Sequence, residues 1–144
     1  MKHQIRTEIV INASKERVFS IITGLEEFEN WNPFIIKSKG NPVEGARLVN
    51  TMRNGDSSIT FKPRVVKVEK NKAFEWLGSL IVKGLFDGHH YFHIEEISPE
   101  QVNLVHGENF SGLLSSFLLK KIGDQTRQNF IAMNQALKAR AEGN

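Results

Sequence analysis

The chain has 144 residues, 40% apolar and 24% charged, with a formal net charge of +3; this is the size and balance of one globular domain, read here as 1–144, with apolar content enough for a core. It contains no cysteine, which excludes disulfides, a thiolate nucleophile and thiolate metal sites, and its basic excess is too small to argue for nucleic acid. No apolar run approaches the roughly 18 residues of a membrane span, and Met1 to Glu8 lacks the apolar core of a signal peptide, so a cytoplasmic address is expected.

Ile5, Thr7, Ile9 and Ile11 alternate with Arg6, Glu8 and Val10, the period of a strand with one buried face. Asn12-Ala13-Ser14 ends it, and Ser14 is placed to cap a helix carrying Val18, Phe19, Ile21 and Ile22. Position 17 is arginine, so the reciprocal glutamate of a capping box is missing. Gly24 is expected to stop this helix in a left-handed cap. Leu25 to Glu29 then form one or two further turns, with Glu26 and Glu27 near their start. Trp31-Asn32-Pro33-Phe34 leaves the helical region, because the residue before a proline disfavours helical dihedrals.

From about 34 to 110 the punctuation is that of an antiparallel meander. Turn signals at Asn41-Pro42, Glu44-Gly45, Asn54-Gly55-Asp56, Asn71-Lys72, Asp87-Gly88 and Ser98-Pro99 delimit strand patterns at 35–39, 47–52, 58–69, 73–82, 89–97 and 102–110. Pro63 cannot donate to a ladder, so an edge position or a bulge is expected inside the longest run. Gly78 and Gly107 suggest bends or close backbone approach. In the last segment Leu114, Leu118, Ile122, Phe130, Met133 and Leu137 lie on one apolar helix stripe. A continuous helix from 113 to 141 would run about 43 Å, with Gly123-Asp124 as the place for a kink or loosened turn.

The order of one strand, two short helices, six strands and a long C-terminal helix resembles the helix-grip fold of the START-like (SRPBCC) superfamily. Within it, the chain is similar to the polyketide cyclase/dehydrase-like branch of small bacterial proteins. The resemblance spans essentially the whole chain and rests on the stretch from Ile11 through Ser14 to Phe19, on Trp31-Asn32-Pro33-Phe34, and on Glu75-Trp76-Leu77-Gly78. It continues in Gly84 to Phe92, His106 to Leu113, and Phe130 to Lys138. It implies an α+β fold in which a curved antiparallel sheet of about seven strands wraps the C-terminal helix, with a ligand cavity between them.

Alternation places Phe74, Trp76, Gly78 and Leu80 on one strand face, His90, Phe92 and Ile94 on the next, and Leu104, His106, Glu108 and Phe110 on the last. A hairpin through Ser98-Pro99 brings His90 near His106 and Glu108. The candidate ligand-binding residues are Phe74, Trp76, His90, Phe92, His106, Glu108 and Phe110 from these strands, Trp31 and Phe34 from the turn, Met52 and Phe61 from the middle strands, and Leu114, Phe117, Leu118, Phe130 and Met133 from the helix. Such aromatic and methionine content suits a flat or flexible apolar molecule of lipid, polyketide or aromatic type, and it equally suits a plain packed core. Access is expected near 31–34 and 84–88.

Three readings of the polar group stay open: His106 and Glu108 serve structure alone, anchor the polar end of a ligand, or act as acid and base in a cyclase/dehydratase-type reaction. A module that chaperones a protein partner is a further alternative. Residue types of a two-histidine-one-carboxylate metal site are present in His89, His90, His93, His106 and Glu108. Yet His89 and His93 face away from His90, together with Tyr91 and Glu95 on what reads as a solvated outer face, so no metal is expected. No phosphate-binding loop or nucleophile elbow is present, and no cofactor is indicated. Basic clusters at Lys62, Arg64, Lys67, Lys70 and Lys72 and at Lys120, Lys121 and Arg127 read as solvated faces. The partner expected is a small hydrophobic molecule, not nucleic acid, bound by a monomer or homodimer.

Overall fold

The computed structural model describes residues 3–79 and 84–143. Its elements are β1 (Gln4–Ile11), α1 (Lys15–Thr23), a single 3-10 turn (Leu25–Glu27), α2 (Phe28–Trp31), β2 (Ile35–Lys39), β3 (Val49–Asn54), β4 (Ser57–Phe61), β5 (Arg64–Glu69), β6 (Ala73–Ser79), β7 (Asp87–Ser98), β8 (Gln101–Ser111) and α3 (Ser115–Glu142). All pairings are antiparallel. They build a five-stranded sheet in the order β1-β8-β7-β6-β5 and a three-stranded sheet in the order β2-β3-β4. The α+β helix-grip architecture is therefore present, with eight strands among the described residues.

The 58–69 run divides into β4 and β5 around Lys62 and Pro63, where proline removes one backbone donor and the chain passes from one sheet to the other. The 47–52 pattern starts later, at Val49, and Leu80 of the 73–82 pattern lies outside the described residues. Asn71 takes a positive φ of 63° in the turn between β5 and β6, a conformation that asparagine tolerates better than most residues.

Ser14 caps α1 as expected, its Oγ accepting from the Arg17 N–H at 3.1 Å. Gly24, however, has φ −80° and so is not a left-handed cap. Its need for glycine is steric, since a Cβ there would stand 2.9 Å from the Ser20 carbonyl oxygen. The arginine in the capping-box position works elsewhere: Arg17 donates to the carbonyls of Arg140 at 3.0 Å and Ala141 at 3.4 Å, satisfying the last turn of α3. Asn32 holds the turn after α2, its Oδ1 accepting from the N–H groups of Phe34 and Ile35, both at 2.9 Å.

Helix α3 runs unbroken through Gly123 and Asp124. Its two halves differ. Phe130, Met133, Asn134, Leu137 and Ala141 are buried, and all but the polar Asn134 join Ile5, Ile11, Phe92 and Leu104 in the hydrophobic core. In the first half Leu118 and Leu119 are only partly covered, and Ile122 stays 37% exposed. The second half is bolted to the sheet; the first half spans above it.

Leu137 is fully buried, so Leu137→Ala should cost about 2–5 kcal/mol of stability, read as a lowered urea midpoint with an unchanged slope.

Candidate functional site

Antiparallel register lines up two rows on the inner face of the large sheet. One row reads Val65, Trp76, His90, Glu108, Ile5, and the neighbouring row reads Phe74, Phe92, His106, Thr7. Residues two apart on a strand share a face, so the rows touch. His106 lies between Phe92 and Phe130, with ring centroids 4.4 Å from each. His90 stacks on Trp76 at 4.7 Å. Both imidazoles are thus walled in by aromatic rings, and both are essentially inaccessible.

Their nitrogens form a continuous polar chain. Glu108 Oε1 is 3.3 Å from His90 Nδ1, and His90 Nε2 is 2.7 Å from His106 Nε2. His106 Nδ1 then meets Asn134 Oδ1 at 2.8 Å. The Asn134 amide donates to Thr7 Oγ1 at 2.8 Å, and Thr7 donates to the His106 carbonyl at 2.7 Å. Burial sets the protonation states. It drives His90 down to about 3, helped by the charge of His89, and His106 well below the usual histidine range, with His90 adding to the effect. Burial also pushes the Glu108 carboxyl up to about 8, against a small opposing effect of His89. At neutral pH the histidines are neutral and Glu108 keeps its proton.

Above Glu108 lies a cavity of about 180 Å³. The large sheet contributes Gly78, Gly88, His90, Glu108 and Phe110; the small sheet contributes Met52, Arg53, Ile59 and Phe61. Helix α3 contributes Lys121, Ile122, Gln125, Thr126 and Asn129, and Phe34 and Phe86 complete the lining. Two glycines shape the floor. At Gly78 a Cβ would stand 3.1 Å from Phe61 Cε2, so its absence lets the small sheet close on the large one. At Gly88 a Cβ would overlap Glu108 Oε2, so its absence makes room for the carboxyl group. The volume is slightly above the ~150 Å³ of a cavity known to admit benzene.

Six of the residues singled out in the sequence line this cavity: Phe34, Met52, Phe61, His90, Glu108 and Phe110. The others do not. Phe74, Trp76, Phe92, Phe130 and Met133 are packed in the core with 0–1% exposure, and His106 is sealed beneath the floor. Trp31 is turned away, edge-on to Phe28 and beside Arg17 and Arg140. Leu114 and Phe117 sit at the outer rim, 37% and 59% exposed. The Leu114 N–H is tied to the Leu85 carbonyl, and Lys121 Nζ lies 5.2 Å above the Phe117 ring. Leu118 packs on the edge of the core. The sequence stripe located α3 correctly but not which face roofs the hollow; Lys121, Gln125, Thr126 and Asn129 are polar and gave no apolar signal. Arg53 and Ile59 were likewise missed, Phe86 and Gly88 were placed at the site only within the 84–88 access segment, and Thr7 and Asn134 gave no signal beyond a polar residue at an inward position.

The opposite face of the sheet carries a separate cluster. Glu75 bridges His89 Nε2 at 2.7 Å and His93 Nε2 at 2.8 Å. Burial pushes its carboxyl up, but the bonds from His93 and His89 outweigh this and hold it below the ordinary range. Tyr91, expected to be solvated there, is buried because its hydroxyl lies over Gly107, where a Cβ would collide with it. Among the described residues no group of three histidine or acidic side chains is arranged to hold a metal ion, and no helix is long and apolar enough to cross a membrane.

The family model described as "Polyketide cyclase / dehydrase and lipid transport" matches residues 2–142. The chain belongs to this family. No curated protein matches it in sequence. Among solved structures it is similar to the Zhui aromatase/cyclase from Streptomyces sp. R1128, with TM-score 0.81, 11% identity, and 96% of this chain and 93% of that one covered. A START superfamily protein from Mycobacterium smegmatis gives TM-score 0.75 at 18% identity, covering 97% of each chain. A norcoclaurine synthase from Thalictrum flavum gives 0.71 at 10% identity, covering 96% and 92%. At these identities the likeness is one of fold, so what this family member does has to be argued from its own cavity.

Protonation of Glu108 is linked to stability. Its folded value of about 8 stands above the ordinary 4.5. Its favourable contribution is therefore whole below pH 4.5 and lost as pH rises through 8. Glu108→Gln should thus gain stability relative to the parent across that window, by up to about 1.4 kcal/mol per pH unit, and level off above it; denaturant melts at pH 5, 6.5 and 8.5 check this.

Proposed function

We propose that this protein binds a small, mainly apolar molecule between the two sheets and the first half of α3. The observation that carries the reading is a cavity of about 180 Å³ whose walls are Phe34, Met52, Ile59, Phe61, Phe86 and Ile122, with one carboxyl group, Glu108, at its inner end. An apolar hollow with few convergent polar groups is the ordinary form of a small-molecule site. Arg53 and Lys121 stand among its other lining residues, so the cavity also carries two cationic groups besides the buried Glu108 and His90. A cytoplasmic monomer or homodimer remains the accompanying expectation.

Magnitudes indicate what each part contributes. Burying about 150 Å² of one aromatic ring at about 25 cal/mol per Å² supplies about 4 kcal/mol. That alone corresponds to a dissociation constant of roughly 1 mM. Tighter binding needs the polar end to discriminate, or a ligand tail extending along Arg53 and Lys121.

A second reading, a cyclase/dehydratase-type reaction in the same cavity, is favoured by one observation: a titratable carboxyl group, Glu108, lines the cavity, and burial raises it to about 8, in the range that suits acid–base chemistry. It requires turnover to fall on Glu108→Gln while ligand binding survives.

Native mass spectrometry of purified protein, followed by solvent extraction, should release a small apolar molecule. Ile122→Trp should fill the cavity from a half-exposed position, lowering affinity for a single-ring probe by about tenfold or more while stability stays within about 0.5 kcal/mol. Unchanged probe affinity in that variant would remove the cavity from consideration.

A further inference from the structure

We propose that the inner end of the cavity presents a hydrogen-bond acceptor, Glu108 Oε2, and therefore selects ligands that lead with a hydroxyl group, a phenol or alcohol on a small apolar body. The inference deepens the ligand-site reading above and rests on it.

The direction follows from forced choices along the buried chain. Thr7 has one hydroxyl proton, and it goes to the His106 carbonyl, an atom that can only accept. Thr7 Oγ1 must then accept from Asn134, which turns the amide nitrogen to Thr7 and the amide oxygen to His106. That oxygen needs a donor, so His106 carries its proton on Nδ1 and leaves Nε2 bare. His90 Nε2, 2.7 Å away, must supply the proton between the two rings. A neutral His90 then has a bare Nδ1 facing Glu108 Oε1. Only a protonated Oε1 satisfies it. One carboxyl proton is thereby committed inward, and Oε2 is left as an acceptor.

Oε2 is also the oxygen on the open side. His90 beside Oε1 is 2% exposed, whereas the Glu108 side chain keeps 16%. Oε2 rests over Gly88, itself a lining residue, in the space a side chain would fill. Among the described residues it has no hydrogen-bond partner. A bare carboxyl oxygen in a mainly apolar cavity gains most from a ligand O–H. Thr7, Asn134 and His106 are positioning residues: none lines the cavity, and together they set which way the carboxyl group points its proton.

The test uses phenol, toluene and benzaldehyde, which share a ring and differ in carrying a donor, neither group, or an acceptor alone. Titrations by calorimetry at pH 6.5 compare affinity ratios across variants, so that the differing hydrophobicity of the probes cancels. Glu108→Gln should keep the phenol-to-toluene ratio within about twofold, because glutamine can donate inward and accept outward in the same places. Glu108→Leu should lower that ratio by about tenfold. Gly88→Ala, which displaces the carboxyl group without removing it, should lower it in the same direction and keeps the test decisive if Glu108→Leu does not fold. Thr7→Val, remote from the probe, should erode the ratio several-fold with toluene affinity unchanged, an outcome that a purely structural role for Thr7 would not produce. If toluene binds and the ratio ignores every variant, the acceptor assignment is wrong and the ligand-site reading stands. If benzaldehyde is the probe that loses affinity on Glu108→Leu, the carboxyl proton faces the cavity and the assignment is reversed. If none of the three binds the parent protein, both readings fall.

Discussion

The bond between His106 Nδ1 and Asn134 Oδ1 joins the C-terminal helix to the centre of the sheet, and much of the site's geometry hangs from it. It fixes the height and rotation of α3, because a buried amide and a buried imidazole cannot be left unpaired without a cost of about 1–3 kcal/mol each. With Asn134 pointing inward, Phe130 comes down on the other face of His106. The residues one and two turns earlier are then carried out over Glu108. The void therefore follows from where the helix is fastened, and not from any lack of apolar side chains to fill it.

Polar groups in this core do more than fill hydrogen-bond valences. A carbonyl oxygen at one end and a carboxyl group at the other are connected by side chains that each have one donor and one acceptor available. Such a chain has a sense of direction, set at Thr7 and felt at Glu108. The aromatic walls of Trp76, Phe92 and Phe130 keep water from breaking it. The same burial makes ionisation of either histidine unfavourable, so the chain holds its sense over the neutral pH range.

Much of this was legible in the sequence, for reasons that can be named. The alternation in 102–110 put His106 and Glu108 on one face, and the Ser98-Pro99 turn brought His90 directly opposite Glu108. Ser14 announced its cap, and the stripe from Leu114 to Leu137 announced the long helix. What failed to show was relational. Proline at 63 signalled a disturbance, but nothing local says that the chain changes sheets there. The stripe said which residues are apolar, not that its second half would be core and its first half a roof. Thr7 and Asn134 are ordinary residues until the fold places them 2.8 Å apart across 127 positions of chain. Trp31 looked like a ligand contact because tryptophan is large and apolar; its place in the last turn of α2 sets it against Phe28 and away from the cavity.

Uneven fastening along α3 also has a dynamic consequence. The last turns are held by buried Leu137 and Ala141, by Arg17 on the terminal carbonyls, and by Lys138 reaching the Val10 carbonyl at 3.0 Å. The opening turns rest on half-covered leucines and on backbone bonds to Gly84 and Leu85. Local opening is cheapest where few apolar contacts must be undone. Amide protons along this one helix should therefore exchange in a gradient, quickest over the hollow and slowest near Leu137, so that the roof can lift while the far end keeps the sheet intact.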